Sequence, residues 1–457
     1  MYKDYETDKE AIKIVPTDRQ IRHQQMEFYA FVHFTVNTFT DKEWGDGTEN
    51  PSIFNPEKLD CNQWVESVKS AGMTGLILTA KHHYGFCLWP SEYTEHSVKN
   101  SPYKNGKGDI VRECAEACKK GGIKFGVYLS PWDRNCPVYG SGKEYDDYYC
   151  NQLTELLTNY GELFSVWFDG ACGEGPNGKK QVYDWERYYA TVRKYQPDAC
   201  ISVSGPDVRW CGNEAGNTRE SEWSTVALKL NDGSVPKETD KELGSREILR
   251  AARETAWKAA EVDTSIRPGW FYHRKENIKV RSLKVLSDIY YRSVGGNCTL
   301  LLNIPPDTDG LFSKNDVKAL KSLGNKLKKD FAVCISEDAS FSADKDDGIN
   351  RAENLREDSY STYFATEEGL NTCTITVTLP ETRRIHMAVI KENIKFSQRI
   401  ESFTIECRYG KRWKPLYSGT TVGYKKIARF RPTLSDTVRI TITDSRVNPV
   451  ISHIALY

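Results

Sequence analysis

Through about residue 330 the chain alternates short apolar runs with amphipathic ones, and no other feature limits its possible folds as strongly. FYAFVHF (28–34), GLILTAKH (75–82), IKFGVYLS (123–130), FSVWFDG (164–170) and ACISVSG (199–205) read as strands buried on both faces. Between them NQWVESVKSAG, GDIVRECAEACKKGG and DDYYCNQLTELLTNYG carry helical apolar spacing. Two of these end in Gly after a Lys-rich or Ser-rich last turn, where a left-handed residue closes a helix. SEWST (221–225), GWFYH (269–273) and NCTLLLNIP (297–305) complete eight strands, with SREILRAARETAWKAA and SLKVLSDIYYRSVG as helices between or after them. Strand and helix in regular succession over about 330 residues predict a (β/α)8 barrel with insertions. A doubly wound open sheet would place a Gly-rich phosphate turn after its first strand, and HFTVNTF offers none.

After LKSLGNKLKKD (320–330) the pattern changes. TCTITVTLP, RIHMAVIKE, SFTIECRYG, RWKPLYSG, KKIARFRP and DTVRITITD alternate apolar and polar residues between closely spaced turns, which predicts an antiparallel β-sandwich. A chain of 457 residues exceeds what one core usually organises, so the expected division is a barrel over 1–330 and a sandwich over 331–457. The polar stretch NDGSVPKETDKELGS (231–245) is long for a barrel connection and reads as a surface insertion or, less simply, as a lid.

Sixty-three basic residues balance sixty-three acidic ones, which removes the electrostatic footprint of a nucleic-acid or anionic-membrane binder. Eleven Trp and 25 Tyr suit ring stacking on the apolar face of a sugar, and equally the filling of a large core. No run approaches the roughly 18 apolar residues of a membrane-spanning helix. MYKDYETDKEAIKIVPTDRQ lacks an apolar signal region, and the 13 scattered cysteines look like reduced thiols. A cytoplasmic location is the expectation for the chain as it stands, with export by another route left open. No CxxC pair occurs, and Cys114 and Cys118 at helical spacing have no nearby His, so no structural zinc is expected.

In such a barrel the C-terminal strand ends gather around one mouth. Read in order they supply His33; His82 and His83; Tyr128 with Ser130; Asp169; the loop holding Glu214; Trp270 with His273; and Asn303. Asp169 follows the apolar Val166, Trp167 and Phe168 with no polar transition. A carboxylate there can cap a helix, ligate a metal, or act as nucleophile or base. GACGEGPNG is a poor helix start. Metal ligation is weakened because neighbouring His residues on a strand point to opposite sides. Glycoside hydrolysis needs two carboxyl groups. SGPDVRWCGNEAGNTRESEW supplies Asp207, Glu214, Glu220 and Glu222 as candidates for the second. Glu214 stands between glycines after Trp210, where the backbone can approach a ligand and an apolar neighbour can raise the carboxyl pKa. A solvated loop charge is the alternative.

HFTVNTFTDKEWGDGTENPSIFNP, LTAKHHYGFCLWPS, YLSPWDRN, VWFDGACGEG, GNEAG, SIRPGWFYH and GGNCTLLLNIPPDTDG, in this order, resemble the α-L-fucosidases of glycoside hydrolase family 29 across essentially the whole chain. The family fold is a barrel followed by a β-sandwich. The resemblance implies that Asp169 is the nucleophile, with Trp167 beside it at the sugar, and that Glu214 is the acid/base. It implies that His33, His82 and His83 hold fucose hydroxyls and that Glu43, followed by Trp44, touches the sugar. Tyr128 and Trp270 are implied as further pocket residues, Trp270 against the fucose methyl. EWGDG and SIRPGWFYH are similar to the branch acting on α-1,3 and α-1,4 linkages in branched glycans. Thr35 stands where many relatives carry Gly. The sandwich resembles discoidin-like carbohydrate-binding domains, most clearly in TTVGYKKIARF.

The implied reaction is a retaining double displacement on a fucosylated oligosaccharide or glycoconjugate, without metal or organic cofactor. Two rivals predict different behaviour. A barrel metallohydrolase built on the histidines and Asp169 would lose activity to a chelator. A catalytically silent fucose-binding protein would bind fucose without turnover.

Overall fold

A computed structural model describes residues 4–457. Eight parallel strands close into a barrel: β1 (Phe28–Val32), β2 (Gly75–Lys81), β3 (Lys124–Leu129), β4 (Ser165–Phe168), β5 (Cys200–Val203), β6 (Val208–Trp210), β9 (Ala259–Ser265) and β10 (Cys298–Asn303). Between β6 and β9 the chain forms a separate antiparallel pair, β7 (Thr225–Leu230) and β8 (Ala252–Trp257). The strands alternate by residue, as the pleat requires. Tyr29, Phe31, Ile77, Tyr128, Trp167 and Leu301 fill the barrel axis. Ala30, Val32, Leu76, Leu78, Val127, Val166 and Phe168 belong to the larger core shared with the surrounding helices. Phe168 has no exposed surface, so truncation to Ala would cost about 3–5 kcal/mol.

Local chemistry fixes the helix ends. Asp60 accepts from Asn62 N to start Cys61–Ser70, and Asp109 accepts from Arg112 N to start Ile110–Gly121. Gly122 closes the latter helix at φ 70°, a left-handed conformation that glycine adopts without strain.

Two of the expected barrel strands lie elsewhere. SEWST precedes and only touches β7, outside the barrel, and the sixth barrel strand is the three-residue β6. GWFYH is loop, and the seventh barrel strand is β9, AAEVDTS. Glu261 and Asp263 face the barrel axis there, and two buried carboxyls disguise a strand that apolar patterning would otherwise reveal. The helix expected over SREILRAARETAWKAA stops at Ala251, beyond which the chain becomes β8.

The C-terminal strands are β11 (Ser340–Ala343), β12 (Phe364–Ala365), β13 (Cys373–Glu392), β14 (Ile400–Tyr409), β15 (Arg412–Gly419), β16 (Lys426–Ser445) and β17 (Val450–Leu456). TCTITVTLP and RIHMAVIKE are one continuous strand, β13, and KKIARFRP and DTVRITITD are one strand, β16. Register breaks between Thr378 and Arg383 and between Ile385 and Met387 divide this long pair. One half of it pairs with β11 and β14, the other with β17, so two layers share the same two strands. Ile375, Val377, Ile390, Phe403, Ile440 and Ile454 fill the space between them.

This sandwich docks on the barrel through TTVGYKKIARF. Tyr424 Oη and Lys425 Nζ both reach Glu27, at 2.8 Å each, and Tyr424 N donates to Asn297 Oδ1. Met387, Val389, Ile427 and Ala455 pack into the barrel's own core, and the Arg446 guanidinium lies 3.4 Å from the Trp223 ring centroid. The stretch 231–245 is tied by its backbone to Arg219, through Glu238 O and Asp240 O, and lines no part of the cavity described next. All 13 cysteines are free, and eleven are buried.

Candidate active site

A cavity of about 400 Å³ opens at the C-terminal ends of the barrel strands. Every residue that the family resemblance implies for the site lines it: His33, Glu43, Trp44, His82, His83, Tyr128, Trp167, Asp169, Glu214 and Trp270; Ser130, His273 and Asn303, also read from the strand ends, do not. Asp169 is the first residue past β4, with a quarter of its side chain exposed. Tyr128 Oη donates to its Oδ2 at 3.0 Å, and Ala171 N donates to its Oδ1 at 2.8 Å. Burial, and next the Asp169 charge, push the Tyr128 phenol well above its ordinary range, so it remains a donor. His83 Nε2 stands 3.8 Å from the same carboxylate.

His33 is fixed by Asn303. The Asn303 amide donates to Ser265 Oγ at 3.0 Å and to Trp270 O at 2.9 Å, which orients its oxygen toward His33 Nδ1 at 2.9 Å. Nδ1 therefore carries the proton, and Nε2 is left as an acceptor. Burial lowers His33 to about 3 and also holds His82 and His83 below the ordinary histidine value, so all three are neutral at pH 7. The expectation that His82 and His83 point apart fails for a simple reason. β2 ends at Lys81, both residues lie beyond the pleat, and their ring centroids are 4.1 Å apart. The described residues contain no group of three or more His, Cys, Asp or Glu placed to hold a metal ion.

Glu214, an exposed residue on the loop after β6, also lines the cavity. Its Oε2 accepts from Trp270 Nε1 at 3.2 Å, and its backbone oxygen accepts from Thr264 Oγ1 at 2.7 Å. Glu222, on the same loop, is 1% exposed and bound by Arg209 and Arg219, away from the cavity. Glu43 lines the wall with its carboxylate already engaged by Trp270 N (2.5 Å), Phe271 N (3.2 Å) and His273 Nε2 (3.0 Å). Trp44 is 61% exposed at the rim and stacks on His83 at 18° between planes. Thr35 takes an extended backbone (φ −165°), so no glycine is required there.

Phe31, Tyr84, Asp263 and Phe271 also line the cavity and escape a reading of strand ends. Phe31 and Asp263 sit inside their strands, and Phe271 lies in the segment taken for a strand. Beneath the floor, Glu261 accepts from Trp167 Nε1 at 2.7 Å and from Tyr29 Oη, which fixes the indole plane. Burial raises Glu261 to about 7.

A parallel barrel whose mouth holds two accessible carboxylates in one cavity, over a floor of aromatic rings and neutral histidines, defines a barrel glycoside hydrolase. Residues 11–330 match the family model described as Alpha-L-fucosidase. The chain is 40% identical to α-L-fucosidase 1 of Arabidopsis thaliana over 455 residues, covering 97% of this chain and 87% of that protein. A Bacteroides ovatus structure described as a candidate α-L-fucosidase superposes with a TM-score of 0.90 at 45% identity, covering all of this chain and 76% of the other. A Ruminococcus gnavus family 29 fucosidase in complex with fucose superposes at 0.86 and 34% identity, over 97% of this chain and 95% of that one. The chain belongs to the α-L-fucosidase family, glycoside hydrolase family 29, and is an α-L-fucosidase of that family.

Proposed function

We propose that the protein removes terminal α-1,3- or α-1,4-linked L-fucose from branched glycans by double displacement with retention. Asp169 attacks the anomeric carbon while Glu214 protonates the departing oxygen. Glu214 then takes a proton from the water that releases fucose from Asp169. The observation that carries this reading is the meeting of Asp169 and Glu214, from β4 and from the loop after β6, in one cavity. Tyr128 and Ala171 N hold the Asp169 carboxylate in place, which favours attack over diffusion through rotamers. Neutral His33 offers a lone pair to a sugar hydroxyl, and the aromatic floor suits the apolar face of a deoxy sugar. The fucose bound to the Ruminococcus gnavus relative supports the sugar identity. The linkage rests on the likeness of EWGDG and SIRPGWFYH to the branch acting on those bonds. Turnover of α-1,2-, α-1,3-, α-1,4- and α-1,6-fucosylated oligosaccharides, with the anomer of released fucose followed by NMR, tests both parts. Initial release of β-fucose, or a preference for α-1,2 or α-1,6 bonds, would overturn the corresponding part.

A further inference from the structure

The cavity wall holds a third carboxyl group that this reaction leaves without a part. Asp263 lies on β9, faces the barrel axis and is 4% exposed. Its Oδ1 accepts the Trp210 indole N–H at 2.6 Å, and the residue lines the cavity. A buried carboxylate needs a cation or several donors to be stable, and among the described residues no cation pairs with Asp263.

The groups facing it make charge less favourable still. From its own strand comes Glu261, occupied by Tyr29 and Trp167; from β6, the Trp210 indole; from the loop beyond β6, Glu214. Arg281, on the loop after β9, donates to Thr264 Oγ1 and Ala215 O, and Arg267 on the same loop is held by Asp316. Burial, then Glu261 and Glu214, push the Asp263 carboxyl well above the ordinary range. The polar complement of the cavity points the same way. His33 presents an acceptor and Asp169 is an acceptor, so a sugar hydroxyl that gives its proton to either keeps lone pairs that a protonated Asp263 would serve as donor.

We propose that Asp263 is a substrate-binding residue that works in its acid form, donating a hydrogen bond from its cavity-side oxygen to a hydroxyl of the bound sugar. The inference rests on the sugar placement given under Proposed function.

Two full-length variants and one spectrum test it. Asp263→Asn can keep its amide oxygen on Trp210 and turn its NH2 into the cavity, which reproduces the acid form and excludes the carboxylate. Asp263→Ala is expected to weaken L-fucose, measured as a competitive inhibitor, by about tenfold, and Asp263→Asn to restore most of that loss. An Asn variant as weak as the Ala variant would mean that the cavity side must accept, and would overturn the proposal; so would an Ala variant that binds fucose like the wild type. Should Asp263→Ala not fold, infrared difference spectra of wild type minus Asp263→Asn at neutral pH decide the question. A protonated-carboxyl carbonyl band supports the proposal, and a carboxylate band alone overturns it. The catalytic reading fails separately, if Asp169→Ala turns over aryl α-L-fucoside like the wild type.

Discussion

The Trp270 indole N–H donates to Glu214 Oε2 at 3.2 Å and joins the loop after β6 to the loop after β9 across the barrel mouth. The same Trp270 gives its backbone N–H to Glu43 and its carbonyl to Asn303, so it orients two cavity carboxylates and the amide that holds His33. Trp270→Phe keeps the ring and removes only the indole donor. It should lower kcat/KM on fucosylated oligosaccharide about fivefold while leaving the melting temperature nearly unchanged. An equal loss from Glu214→Ala and from the double variant would show that the bond acts through Glu214.

An acid/base variant responds to leaving-group quality, because an activated aryl group departs without a proton and a sugar does not. Glu214→Ala should lose far more activity on an oligosaccharide than in the first step on an activated aryl fucoside. Azide should restore turnover and give α-fucosyl azide, attacking the fucosyl-enzyme from the vacated face. Glu222→Ala should instead lose stability, since it strands the buried Arg209. Azide rescue in Glu222→Ala and not in Glu214→Ala would reassign the role.

Asp169→Ala should reduce turnover of every fucoside by several orders of magnitude, as no covalent intermediate can form. Circular dichroism should stay native, because Asp169 is partly exposed and its two donors can turn to water. Residual activity above a few percent would remove Asp169 from the nucleophile role.

Burial holds the folded His33 at about 3, below the value of about 6.5 expected in the unfolded chain. Between those values the unfolded chain binds the extra proton, so stability is fully present above pH 6.5 and falls as pH drops toward 3. His33→Gln should flatten the acid side of a melting-temperature profile by up to one proton, on the order of 1 kcal/mol per pH unit. Parallel profiles for wild type and variant would show that His33 protonates freely in the fold.

Residues 331–457 bury apolar barrel surface through Met387, Val389, Ile427 and Ala455. A 1–330 fragment should therefore aggregate, or melt well below the full chain. A soluble, fully active fragment would point to a separate task for the sandwich.

Much of the barrel was legible because β1 to β5 and β10 are apolar on both faces, a pattern that only a two-sided parallel sheet imposes. β6 and β9 escaped for opposite reasons. Three residues are too few to show a period, and β9 carries two carboxyls where an apolar layer was expected. The strand-end rule found Asp169 and His33 from position alone, whereas it reached Trp270 only by taking the loop GWFYH for a strand. Glu214 could be singled out among four loop acids only through family likeness, since what separates it from Glu222 is three-dimensional: one faces the cavity and the other a pair of arginines. Asp263 carried no signal, because nothing in EVDTS shows which residues face inward until the strand is known.

Glu222 N donates to Thr421 Oγ1, and Gln398 Nε2 donates to Glu222 O, so the loop presenting Glu214 is stitched at its far end to the sandwich. The smallest portable piece of this enzyme is therefore neither the loop nor the barrel, but the loop together with its docking strip. Anyone grafting GNEAG onto another scaffold must bring positions 398 and 421 with it. Under the proposed role of Glu214, drift at those two distant positions would be felt first in the protonation of poor leaving groups and only later in the binding of fucose.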